Sequence, residues 1–92
     1  MVDFKIHYRE DVDRVIEASR DVGDAIQKDA LWTPTILAPL EIIGVVSLVD
    51  NAATVRIRFK TLPLHQGKVA NELRRRLMKA LSERGIRPYS GL

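Results

Sequence analysis

Val2, Phe4, Ile6 and Tyr8 alternate with Asp3, Lys5, His7 and Arg9, a period of two that turns one row of side chains to a core and the other to water. A first strand is predicted here. The period changes at Asp11, whose carboxylate is suited to cap a helix. Val12, Val15, Ile16, Val22 and Ile26 then recur at helical spacing, with Asp13 and Glu17 near the positive end of the helix dipole. This predicts a first helix from about 12 to about 27. Lys28 to Leu40 carries no clear period, and Pro34 and Pro39 disfavour helix in the residues before them. An ordered, extended connection anchored by Trp32 is expected.

Glu41 to Val49 is β-branched and apolar on both sides of a simple alternation: Ile42, Val46 and Leu48 fall on one face, Ile43, Val45 and Val49 on the other. A strand of this kind is covered twice. Asp50-Asn51-Ala52-Ala53 reads as a tight turn, after which Val55, Ile57 and Phe59 alternate with Thr54, Arg56, Arg58 and Lys60, making strands two and three a hairpin. Leu62 to Gly67 is a loop. A second helix from about 67 to 84 carries Val69, Ala70, Leu73, Leu77, Ala80 and Leu81 on its apolar stripe. Gly85 is placed to close it, with Ile86 folding back and Pro88 preventing continuation. The remainder, Arg87 to Leu92, is too short and polar to read as a strand.

Strand, helix, strand, strand, helix is most of the split βαβ plan called ferredoxin-like. The expected fold is an α+β sandwich: a three-stranded antiparallel sheet of order 1-3-2 under two helices on one face, with the fourth strand absent or supplied by a partner. The first strand would then be an open edge, blunted in part by Lys5 and His7. The sheet face away from the helices would carry Ile43, Val45 and Val49 beside Arg56 and Arg58, an apolar strip that an isolated domain has little reason to show. These five residues form the candidate assembly surface.

Composition narrows the function classes. Ninety-two residues, 46% hydrophobic and 29% charged, make one globular domain of modest stability. Without cysteine there is no disulfide framework, thiolate metal site or cysteine nucleophile. The longest apolar stretch, Ile42 to Val49, is far shorter than the ~20 residues that span a bilayer, and the N-terminus does not read as a signal peptide, so Met1 suits the initiator of a fragment. The net charge of +3 is too small to argue for nucleic acid. Its distribution is uneven, with acids crowding the first third and Lys68, Arg74, Arg75, Arg76, Lys79, Arg84 and Arg87 crowding the end.

Candidate chemistry is sparse. His7 and His65 lie in unrelated elements without metal-ligand spacing. Asp13 with Glu17, and Asp21 with Asp24, are spacings any solvated helix shows. No serine sits on a glycine-flanked strained turn, and the five glycines are scattered, so no phosphate loop exists. An acylphosphatase-type enzyme would need a phosphate cradle after the first strand, where this chain has Arg9-Glu10-Asp11. The residues predict no enzyme and no cofactor or metal. The basic row Arg56, Arg58, Lys60 is the best nucleic-acid hint, but it lacks the exposed aromatics on which RNA bases stack. A free-standing interaction module binding RNA or a protein is the alternative reading.

Several local signatures occur in order: Tyr8 before Asp11 and Asp13; Ala38-Pro39-Leu40-Glu41-Ile42; Leu48 through Arg58 across the hairpin; Lys60-Thr61; and Ala80-Leu81-Ser82-Glu83-Arg84-Gly85-Ile86-Arg87-Pro88-Tyr89. Together they resemble the C-terminal domain of the small-conductance mechanosensitive channel family over nearly the whole chain. Departures are Arg87 where the family has an aliphatic residue, no second proline near Ser90, and no aromatic residue around Leu64 to Gln66. The resemblance implies that residues 1–92 are a single domain, a soluble fragment of a membrane channel subunit at the cytoplasmic face of the cell membrane. It further implies a non-catalytic assembly role beside identical subunits, seven in the full channel, and beside upstream pore and middle domains. Such domains help form the vestibule through which ions and small osmolytes reach the pore. No cofactor and no nucleic acid are expected.

Overall fold

The computed structural model describes residues 2–87. β1 (Val2–His7) is followed by α1 (Val12–Lys28), a short 3-10 turn (Thr33–Thr35), β2 (Glu41–Val49), β3 (Ala52–Arg58) and α2 (Gln66–Glu83). The sheet is antiparallel in the order β1-β3-β2, as the element order predicts. Met1 and residues 88–92, on which the reading of the tail falls, lie outside the described residues.

The alternation in β1 does what a period of two requires. Val2, Phe4 and Ile6 share register with Ile57, Val55 and Ala53, and directly paired residues point to the same face. Val2, Ile6, Ala53, Val55 and Ile57 are buried there with Val15, Ala18, Val22 and Ile26 of α1 and Leu73, Leu77 and Leu81 of α2. Each of the valine, isoleucine and leucine side chains contributes about 1.5–3 kcal/mol when fully buried. Tyr8 leaves this row. β1 ends at His7, the Glu10 N–H turns back to the His7 carbonyl, and Tyr8 is exposed with the Arg9 guanidinium 5.6 Å from its ring centre.

Asp11 caps α1, its Oδ1 accepting the Asp13 N–H at 2.9 Å. The buried face runs Val15, Ala18, Ser19, Val22, Gly23, Ile26. Ser19 is tolerated there because its hydroxyl donates to the Val15 carbonyl at 2.8 Å. Gly23 lets the chain after α1 come close, since a Cβ on it would stand 2.7 Å from Leu40 Cβ.

The connection differs from a wholly extended one. The Thr33 hydroxyl donates to the carbonyls of Gln27 and Asp29, and Pro34 sits in the first turn of the 3-10 segment, where its missing N–H costs nothing. Only beyond it does the chain extend: Ile36 bridges Thr61 and the Leu37 N–H donates to the Lys60 carbonyl. Trp32 packs partly buried against the core.

The hairpin turn is tighter than the four residues expected. Asp50 and Asn51 take φ of 55° and 63°, the signature of a two-residue turn whose twist matches the strands, so Ala52 and Ala53 already belong to β3. The end of α2 falls as predicted. Gly85 has φ 71°, its N–H donates to the Ser82 carbonyl, and the Ile86 N–H reaches back to Leu81, the two bonds of a Schellman closure. Ile86 is buried by it.

Part of the charge asymmetry is paired inside the domain. Arg76 bridges Asp29 and Glu72 at 2.6 and 2.8 Å, Arg84 meets Asp21 at 2.7 Å, and Arg87 meets Glu10 at 3.2 Å. The Arg14 guanidinium also donates to the Arg84 carbonyl. The acidic α1 and the basic α2 are thus partners of one another.

Candidate assembly surface

The open face of the sheet is polar and balanced. On β1, Asp3 lies opposite Arg56, which grips it with two hydrogen bonds, Nε to Oδ1 at 2.8 Å and Nη2 to Oδ2 at 2.9 Å. On β2, Glu41 lies opposite Arg58 and accepts from its Nε at 2.8 Å. The hydrogen bonds from Arg56 hold the Asp3 carboxyl below its ordinary range, and Asp3 in turn raises Arg56. Two of the three cations in the basic row therefore already face carboxylates, which weakens any pull on a phosphate backbone.

The aliphatic strip expected on this face is not there. β2 breaks register twice, between Ile42 and Gly44 and between Val45 and Ser47, leaving Ile43 and Val46 without Cα partners. Each β-bulge inserts one residue and resets the alternation. The pairs toward the helices become Ile42 with Ile57, Val45 with Val55 and Leu48 with Ala53, a spacing of three. Gly44, Ser47 and Val49 pair with Arg56, Thr54 and Ala52 on the open side. The expected grouping is corrected accordingly: of Ile43, Val45, Val49, Arg56 and Arg58, the structure brings Val49, Arg56 and Arg58 to the open face. Val45 lies on the helix side, and Ile43 is a bulge residue.

What the bulges produce is an apolar edge. Ile43, Val45, Val46, Leu48 and Val49 are all exposed, Leu48 to 71% and Val49 to 61%. Val45 and Leu48 belong to the helix side by register yet stay in solvent on β2, an edge strand of the sheet. Val46 and Leu48 were not among the candidates. The signal that could have found them is Gly44, a strand-interior glycine of the kind that marks a bulge and here takes φ 109°.

The helix layer holds a second polar cluster. Glu72, with a side chain only 12% exposed, accepts from Arg75 and Arg76, and these hydrogen bonds hold its carboxyl down to about 2. Asp29 is lowered by Arg76 in the same way, and Glu10 by the main chain and side chain of Arg87. These ion pairs are latches, Arg76–Asp29 and Arg87–Glu10 between elements and Glu72 with Arg75 and Arg76 within α2. No group of three or more His, Asp or Glu able to hold a metal occurs among the described residues, and no helix there is long and apolar enough to cross a membrane.

Three antiparallel strands under two helices, in this order, define an α+β domain of ferredoxin-like architecture. Within that class the model of the family described as mechanosensitive ion channel MscS, C-terminal, matches residues 1–87. The chain belongs to that family, as the ordered signatures of its sequence imply. No curated protein matches it.

Proposed function

We propose that this chain is a non-catalytic assembly domain of a mechanosensitive channel subunit, packing beside identical subunits at the cytoplasmic face of the membrane. In that position it helps shape the vestibule through which ions and small osmolytes reach the pore. Membership of the channel family supports the setting, and one observation carries the role: five aliphatic residues stand in solvent along a single edge strand. A strip of this kind favours contact with protein, because apolar surface gains about 25 cal/mol for each Å² withdrawn from water. On this reading the contact surface takes in Ile43, Val45 and Val49 with Arg56 and Arg58 at its margin, extended by Val46 and Leu48. The partners are the neighbouring copies, seven per ring by family resemblance, and the pore and middle domains upstream.

The test is Val45→Asp with Leu48→Asp in the full channel subunit, followed by native mass spectrometry of the assembled channel. A charge pair on each interface is expected to reduce the fraction of complete rings severalfold. Intact rings, together with unchanged solubility of the isolated 92-residue chain, would falsify the assignment of this edge.

A further inference from the structure

Between β1 and α2 runs a groove of about 540 Å³, within the size range of small-molecule sites. Val2, Leu77, Leu81 and Ile86 belong to the buried core, and the sides they turn away from it line this groove together with Phe4. Met78 stands on the same wall, 70% exposed. Its unbranched thioether adapts to apolar partners of varied shape. Arg74 and Ser82 both line the groove, so at 1.5 Å per residue it follows α2 for roughly 12 Å.

The charges on this groove are uneven. Lys5, Arg74 and Arg87 stand on it with one acid, Asp3. Arg56 already holds Asp3 through both carboxylate oxygens, and Glu10 already holds Arg87. Arg74 differs from Arg87. Its guanidinium donates to the neutral Asn71 amide oxygen at 3.3 Å, and no carboxylate pairs with it among the described residues. A full positive charge therefore flanks an apolar trough, with Lys5 on the β1 side adding a second. A guanidinium takes a carboxylate or phosphate through two parallel hydrogen bonds, and a hydrocarbon chain gains from leaving water in the trough. A molecule that carries both groups uses both features.

We propose that the groove between β1 and α2 binds a single-chain anionic amphiphile, its phosphate or carboxylate head taken by Arg74 and its chain lying along Phe4, Leu77, Leu81 and Ile86. The site is on the opposite edge of the sheet from the β2 strip and does not depend on the assembly role.

An NMR titration of the 92-residue chain tests it, with each probe kept below the concentration at which it forms micelles. Decyl phosphate and decanoate are expected to shift the amides of Phe4, Leu77, Leu81 and Ile86 saturably, the tighter of the two naming the head. Octyl phosphate, with two fewer methylenes to bury, should bind about tenfold more weakly than decyl phosphate. Inorganic phosphate and the uncharged decyl maltoside should each be weaker by at least about tenfold. Arg74→Gln is expected to weaken decyl phosphate severalfold without changing decyl maltoside, and Met78→Asp to weaken both anionic probes at least about tenfold. Arg74 and Met78 are both exposed, so the fold carries either change. Absence of saturable shifts with both anionic probes overturns the proposal, as do equal affinity for decyl maltoside and shifts centred on Leu48. Groove amides that move with protein concentration before any probe is added give the surface to a second copy, and overturn it too.

Discussion

The two edges of the sheet are open for different reasons. β1 is a regular six-residue strand without a break in register, its apolar row turned to the core and its outer main-chain groups without a strand partner among the described residues, beside a groove. β2 is longer, bulged twice, and leaves its aliphatic side chains in water. A regular edge attracts another strand through hydrogen bonds; a bulged edge resists strand pairing and offers apolar side chains instead. One small sheet thus presents two kinds of surface, a main-chain one and a side-chain one. Neither is evident from hydrophobic content, since β1 and β2 both carry enough apolar residues to read as strands.

The comparison breaks most sharply at Ile6 and Leu48. Ile6 is wholly buried beneath β1 and Leu48 is 71% exposed on β2. Ile6→Ala is expected to lower unfolding free energy by about 3 kcal/mol and Leu48→Ala by less than about 0.5 kcal/mol, as read from urea midpoints of the isolated chain. Equal losses would show that the β2 edge is covered within a single copy.

Gly44 tests the bulges themselves. Its φ of 109° lies where side-chain-bearing residues are strained, yet nothing stands within 4 Å of an added Cβ. Gly44→Val should therefore act through the backbone, costing about 1–3 kcal/mol and favouring a register without the first bulge. A one-residue slip turns a strand over, so cross-strand NMR contacts should move Val45 away from Val55. Retention of those contacts at unchanged stability would show that packing alone sets the bulge.

The smallest effect concerns the latches rather than the edges. Hydrogen bonds from Arg75 and Arg76 hold the folded-state Glu72 carboxyl down to about 2, below its ordinary 4.5, so its contribution to stability is complete above about pH 4.5 and is lost as pH falls toward 2. Asp3, Glu10 and Asp29 are lowered too, and the acid limb of stability should carry all four. Glu72→Gln is expected to cost about 1 kcal/mol at neutral pH and to flatten that limb. Urea midpoints at pH 6 and pH 3 measure both, and an unaltered acid limb would remove Glu72 from the account.

Much of this was legible in the chain. The caps at Asp11 and Gly85, the two helical stripes, the alternation of β1 and β3, and the sheet order follow from local chemistry and short connections. The 3-10 turn at Thr33–Thr35 was not, because two Thr33 hydroxyl bonds to Gln27 and Asp29 decide it, and proline fits both that turn and an extended chain. The candidate surface was half legible. Apolar excess in β2 was visible, but the side each residue occupies was not.

The sequence by itself determined the order and kind of the elements and the family, because periodicity, capping and residue type act over a few positions. Tertiary structure alone decided the faces of β2, the pairing of the acidic helix with the basic one, and the groove along β1. Each of these is a relation between residues distant in sequence. Val45 faces the helix side because it pairs with Val55 between two bulges, and no alternation within Glu41–Val49 contains that information.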